Sequence, residues 1–242
     1  MNDIIRILDR GELELIDMLG DDLTVVNSAR VSFGKRKDKL DESDIKLIRY
    51  LAKNKHYSPF RHVLLQFRVK APEFVTRQWY KHVVGAETTS SHIIKDHAWN
   101  ELSFRYVKAE NCFFPDYWSK QSANNKQGSD RMIEEQGKAF EIYTKSVETA
   151  FESYQKLIDL GVSKEQARVL LPMSLYTEFY WSASFQSIMN FIELRDESHA
   201  QYEIREYAKS MKSIMLEKLP ISTRVWFDND IEITYLKPFL GE

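Results

Sequence analysis

The chain has 242 residues, 43% of them hydrophobic, and its 34 basic and 36 acidic side chains leave a formal net charge of −2. That is enough apolar chain for a sizeable core, and the near-balance excludes the basic field on which non-specific nucleic-acid binding depends, so any phosphate ligand must be held locally. A single cysteine, Cys112, permits neither an intrachain disulfide nor a cysteine-rich metal site; no metal is expected, and a reducing, cytoplasmic setting is. The opening stretch MNDIIRILDRGELELIDMLG mixes charged with apolar residues and has neither a signal-peptide core nor the ~20 apolar residues of a membrane span. No internal repeat is present, and residues 1–242 are expected to form one soluble domain.

In chain order, residues 41–56 predict a helix, with Ile45, Ile48 and Leu51 at helical spacing behind acidic residues that suit a helix N-terminus. Residues 63–70 alternate Leu65, Phe67 and Val69 with Gln66, Arg68 and Lys70, the pattern of a strand with one buried face. Pro72 opens a helix carrying Phe74, Val75, Gln78, Trp79 and His82. Residues 99–106, WNELSFRY, read as a strand with Glu101, Ser103 and Arg105 on one side. The polar run 119–130 reads as a surface loop. Residues 131–161 predict the longest helix, closed by Gly161. Residues 175–183 alternate as a strand, a helix follows from Gln186, and a last long helix starts near Ser198, where Ser198 and Gln201 have capping-box spacing. Helices and strands mixed without a regular βαβ alternation predict an α+β fold, an antiparallel sheet packed with long helices.

The chain contains no G-x-G-x-x-G, P-loop, H-E-x-x-H or G-x-S-x-G motif. Its candidate site residues are polar side chains set in aromatic surroundings where elements meet. Gln78, Lys81 and His82 share a helix face at three- and four-residue spacing, which equally suits a solvated helix end. Glu101, Ser103 and Arg105 would present an acceptor, a hydroxyl and a guanidinium fork, the last suited to a phosphate, or simply a polar outer strand face. Arg195 and His199 flank a helix break at ELRDESH, where Arg195 could instead pair with Asp196 or Glu197 to hold the corner. Arg168 stands just before the apolar run VLLP.

Five ordered segments, SPFRH (58–62), VKAPEFVTRQWYKH (69–82), NELSFRY (100–106), EQARVLLPMSLYTEFYW (165–181) and SIMNFIELRDESHAQYEI (187–204), resemble the flavin-dependent thymidylate synthases, and the likeness runs from VNSARVSF (26–33) to the last helix. The family signature is Arg-His-Arg, seven residues, then Ser. Here Lys81, His82 and Val83 stand at its first three positions, and 20 residues rather than 8 separate His82 from Ser103, an insertion of 12. The insert could reshape the flavin pocket, cover it, or supply His92, Lys95 or His97 as polar groups. Ser184 and Gln186 stand where relatives often have Asn and Arg, and Phe104 replaces a small residue beside the nucleotide.

The resemblance implies methylation of dUMP to dTMP with FAD as redox mediator, NADPH as reductant and 5,10-methylenetetrahydrofolate as carbon donor, in a homotetramer with shared active sites and with neither nucleic-acid nor membrane partners. It implies that Gln78, Lys81, Glu101, Ser103, Arg105, Arg168 and Arg195 hold dUMP. It places Ser32, His56, Ser58, His82, Asn100, Glu101, Asn190, Leu194 and His199 at the FAD. Arg195 would stabilise charge developing on the uracil carbonyl. Ser103, the second candidate at the reacting ring, has no adjacent base and is expected to hydrogen-bond rather than attack. Cys112, among Asn111, Phe113 and Phe114, has nothing to activate it. The alternatives are a flavoenzyme acting on another pyrimidine nucleotide, or a catalytically silent flavin- or nucleotide-binding homologue.

Overall fold

The computed structural model describes residues 4–82, 97–123 and 128–240. Strands β1 (Ile5–Ile7) and β2 (Gly11–Leu19) form an N-terminal hairpin, followed by helices α1 (Asp22–Arg30) and α2 (Glu42–Lys53). Strand β3 (Leu64–Pro72) runs directly into α3 (Glu73–Trp79), and β4 (His97–Glu101) comes next. A small hairpin, β5 (Ser119–Gln121) and β6 (Ser129–Met132), precedes the long α4 (Gln136–Asp159) and the short α5 (Lys164–Ala167). Then β7 (Tyr176–Ser184) leads into α6 (Phe185–Arg195), α7 (Tyr202–Lys218), α8 (Pro220–Phe227) and α9 (Ile233–Leu236). The main sheet has the order β1-β2-β3-β7-β4 and all its pairings are antiparallel, so the fold is α+β.

Register explains the layering. Phe67 lies opposite Trp181 and Val69 opposite Phe179, and with Leu13, Leu15 and Leu65 they form a fully buried face beneath α3, α6 and α7. The opposite face is polar, with Arg68 donating to both carboxylate oxygens of Glu178 at 2.9 and 2.8 Å and to Glu14 at 3.4 Å. At the far end of the sheet the phenol of Tyr207 on α7 donates to the Lys70 carbonyl at 2.6 Å. That ring passes so close to the chain that a Cβ on Gly11 would lie 2.0 Å from its hydroxyl, which only glycine allows.

Several expected boundaries shift for identifiable reasons. Asp41 caps α2 with a capping box, as the acidic start implied. Pro72 is the N-cap of α3 rather than its first residue, and α3 ends at Trp79, so Lys81 and His82 lie in the turn beyond it and not on a shared helix face with Gln78. The strand expected over 99–106 stops at Glu101: after Leu102 donates to the Glu178 carbonyl the chain turns, with Tyr106 donating to the Ser103 carbonyl. Residues 111–113 take the vacated place beside β7, Tyr176 donating to the Asn111 carbonyl and Phe113 to that of Ser174. Glu101, Ser103 and Arg105 therefore do not share one strand face.

The run 119–130 holds the β5–β6 hairpin rather than a plain loop, and α4 begins at Gln136, whose side chain is spent on the Trp118 backbone. Gly161, at φ +88°, follows the end of α4 as expected. Ser198 caps nothing, because its hydroxyl bonds Glu197, and α7 starts at Tyr202 instead. No described helix is long and apolar enough to cross a membrane.

Trp79 is the contact that ties α3 to the rest. It is 1% exposed, stacks on Phe191 of α6 with ring centroids 4.3 Å apart, and meets Phe179, Trp181 and Tyr207 edge-on at 5.4 to 5.8 Å. Truncation would leave a cavity that four rings cannot fill. Trp79→Ala is expected to lower stability by about 3–5 kcal/mol, measured as a fall in the urea midpoint at unchanged slope.

Candidate active site

Two polar clusters flank α3. The first lies past its C-terminus, where the turn after Trp79 delivers His82, 7% exposed, against the last turn of α6. His82 packs edge-on against Phe191, and Arg195 donates from Nε to its Nε2 at 2.8 Å. Burial, reinforced by the neighbouring guanidinium, holds His82 down at about 4, so at neutral pH the ring is uncharged and accepts. Burial also lowers the pKa of Arg195, but a guanidinium stays charged at any working pH. Only Nε is engaged, which leaves both terminal nitrogens of Arg195 without a partner among the described residues.

The corner salt bridges considered for Arg195 do not form. Asp196 pairs with Lys212 at 2.8 Å, and the Glu197 carboxylate accepts from the Ser198 hydroxyl and the His199 backbone. Close by, Gln78 donates to the side chain of Gln201 at 2.6 Å, linking α3 to the start of α7.

The second cluster lies at the N-terminal end of α3. Glu73, Phe104, Arg168, Leu171, Met173 and Leu175 are among the residues lining an open cavity of about 400 Å³, within the ~300–1,000 Å³ usual for small-molecule sites. Arg168 is exposed and donates through Nε to the Glu165 carbonyl at 3.3 Å. Glu101 is fixed by Thr177 at 2.9 Å and by the Trp99 indole at 3.1 Å, with the Trp99 ring stacked on Phe179. Desolvation, and then the nearby Glu101 charge, push Glu73 up to about 7 against the pull of Arg77 and Arg168.

Ser103 accepts from the backbone and Nε of Arg105, both at 3.4 Å, with no base in contact among the described residues. Burial raises the Cys112 thiol, so neither residue is an activated nucleophile.

The structure thus brings together His82 with Arg195, Ser103 with Arg105, and Arg168 with the Glu73–Glu101 pair. No described contact joins Arg168 or Arg105 to Arg195 within one chain. Ser58 lies in the turn Ser58–His62, which packs against α6, the helix carrying Asn190 and the exposed Leu194. Ser32, His56, Asn100, Lys81 and His199 are exposed at the surface. Val83, His92 and Lys95 lie outside the described residues, as does most of the inserted segment. Sequence reading missed Glu73 and Gln201. An acid directly after Pro72 looks like an ordinary helix-start acid, and nothing in the pattern marked it as half-buried.

A family model described as thymidylate synthase complementing protein matches residues 14–221. The chain belongs to that family. Among its relatives, the flavin-dependent thymidylate synthase of Thermosipho africanus is 42% identical over 89% of this chain and 90% of its own length. The enzyme of that name from Thermus thermophilus is 37% identical over 96% and 81%. Among solved structures, a UMP/dUMP methylase, PolB from Streptomyces cacaoi, bound with 5-Br dUMP superposes with a TM-score of 0.78 at 29% identity, covering 92% of this chain and 97% of that one. The same protein bound with 5-Br UMP gives 0.75 at 28%, over 95% and 96%.

The His82–Arg195 contact has a measurable pH signature. Between about 4 and 6.5 the unfolded chain binds a proton that the folded chain excludes. Stability should therefore fall as pH drops through that window and be unaffected above it. His82→Gln is expected to remove roughly 2–3 kcal/mol of the loss between pH 7.5 and 4.5, read from urea midpoints of variant and wild type at both values.

Proposed function

We propose that the chain is a flavin-dependent thymidylate synthase that methylates dUMP to dTMP, with methylenetetrahydrofolate as carbon donor and NADPH as reductant. The observation that carries the reading is the orientation of Arg195. A neutral, buried His82 holds its Nε and frees the rest of the fork to donate to a uracil carbonyl. In the reaction, C5 of the pyrimidine forms a bond to the methylene carbon, that carbon's bonds to the folate nitrogens break, C5 loses its proton, and a hydride equivalent originating from NADPH completes the methyl group. Negative charge appears on the ring carbonyl as C5 becomes nucleophilic, and a preorganised guanidinium stabilises it as an oxyanion hole does. Arg168, with Arg105, Gln78 and Lys81, holds the nucleotide's phosphate and sugar, and Glu101 and Ser103 supply acceptors.

The donor set suits a flavin. Around the Ser58–His62 turn and α6 the groups on offer are Ser58, Asn190 and the uncharged His82, neutral partners for the amide edge of an isoalloxazine. His56, Ser32, Asn100, Leu194 and His199 complete the set. When bound, the flavin supplies the redox chemistry, which no side chain can. Because Arg168 and Arg195 make no contact within one chain, a homotetramer in which neighbouring copies complete each site accounts for both.

A second reading, action on the ribonucleotide, is favoured by one observation: the structural relative is a UMP/dUMP methylase. Release of tritium from C5-labelled dUMP against C5-labelled UMP separates the two. The enzyme is expected to release label from dUMP with the folate and NADPH present. Arg195→Ala should retain the flavin absorbance while losing turnover by about 10²–10³. Wild-type turnover in that variant would remove Arg195 from the chemistry.

A further inference from the structure

The cavity at the N-terminal end of α3 holds a group that the proposed reaction has not used. Its walls are largely apolar, from Phe104, Leu171, Met173 and Leu175, and its charged lining residues are Arg168, Glu73 and Glu165. Glu165 is exposed, whereas the Glu73 side chain is largely withdrawn from water and has no hydrogen-bond partner among the described residues. A carboxyl in that position loses hydration without gaining a bond, which makes it ready for a ligand that supplies one. Three charged groups act on it: Glu101 of β4, Arg77 on its own helix, and Arg168.

The chemistry of the cavity selects the ligand's parts. Arg168 engages the protein through Nε alone, so its terminal nitrogens can grip an anion bidentately. A phosphate dianion would be repelled by Glu73, so the carboxyl must meet a neutral part of the same molecule. A ring N–H needs a carboxylate and a carbonyl needs a carboxylic acid. A hydroxyl donates to one and accepts from the other, and so satisfies a group that titrates near neutrality.

We propose that Glu73 is a substrate-positioning residue that hydrogen-bonds a sugar hydroxyl of a pyrimidine nucleoside monophosphate whose phosphate lies on Arg168. The assignment rests on the functional reading above and adds to it the residue that reads the sugar. Because dUMP retains only its 3′-hydroxyl, that is the hydroxyl concerned.

Titration calorimetry on the flavin-loaded protein tests this with dUMP and 2′,3′-dideoxyuridine monophosphate. Wild type should bind dUMP about tenfold more tightly than the dideoxy nucleotide, the value of one hydrogen bond to a buried charged group. Glu73→Gln keeps a hydrogen-bonding amide and should keep most of that preference. Glu73→Leu should bind the two nucleotides equally, while its melting temperature at pH 8 rises, since removing a desolvated carboxylate relieves the folded state. A Glu73→Leu protein that still prefers dUMP tenfold would overturn the assignment, as would a wild type that does not distinguish the two. A wild type that binds FAD but no uridine nucleotide would overturn the functional reading itself, and this assignment with it.

Discussion

The stacking of Trp79 on Phe191 is the constraint on which the site geometry depends. Strand β3 runs into α3 without a loop, so the position of α3 follows from the sheet register at one end and from this ring pair at the other. Both clusters inherit their placement from it. Glu73 stands at the start of α3 and Gln78 near its end, and His82 emerges from the turn that the buried indole anchors. A protein core is packed to crystal-like density, and three further aromatic contacts around Trp79 leave α3 little freedom to shift.

Electrostatics divide the two clusters into different tasks. At the His82–Arg195 corner the partner of the guanidinium is neutral, so its positive charge is not cancelled and remains available to a developing anion. A carboxylate there would have made a tight salt bridge and spent the charge. At the cavity end acidic groups outnumber basic ones, Glu73, Glu101 and Glu165 against Arg77 and Arg168, so an incoming anion is favoured only where it lies on an arginine. On the proposed reading, one end stabilises charge that appears during the reaction, and the other orients a ligand that arrives already charged.

Much of this was legible in the sequence where a period was strong. The alternation of Leu65, Phe67 and Val69 and of Phe179 and Trp181 gave β3 and β7, and the stripes through Ile45 and Ile48 and through Val147 and Tyr154 gave α2 and α4. Period-2 reasoning failed at Glu101, Ser103 and Arg105 because alternation says nothing about which segment wins the edge of a sheet, and residues 111–113 won it. The β5–β6 hairpin was missed because neither of its strands has a buried face to leave an apolar signature. The capping-box spacing at Ser198 misled because the neighbouring Glu197 competed for its hydroxyl. The family resemblance implied roles for Arg195 and His82, but only their geometry showed that one holds the other.

The central claim is that the Arg168 cavity and the His82–Arg195 corner serve one bound nucleotide. A crystal structure with FAD and dUMP tests it most directly. The account predicts dUMP with its phosphate on Arg168 and its uracil carbonyl on the terminal nitrogens of Arg195, the two arginines contributed by the same or by neighbouring copies of the chain. A nucleotide bound away from both arginines, or Arg195 turned out of reach with His82 bonded elsewhere, would contradict it.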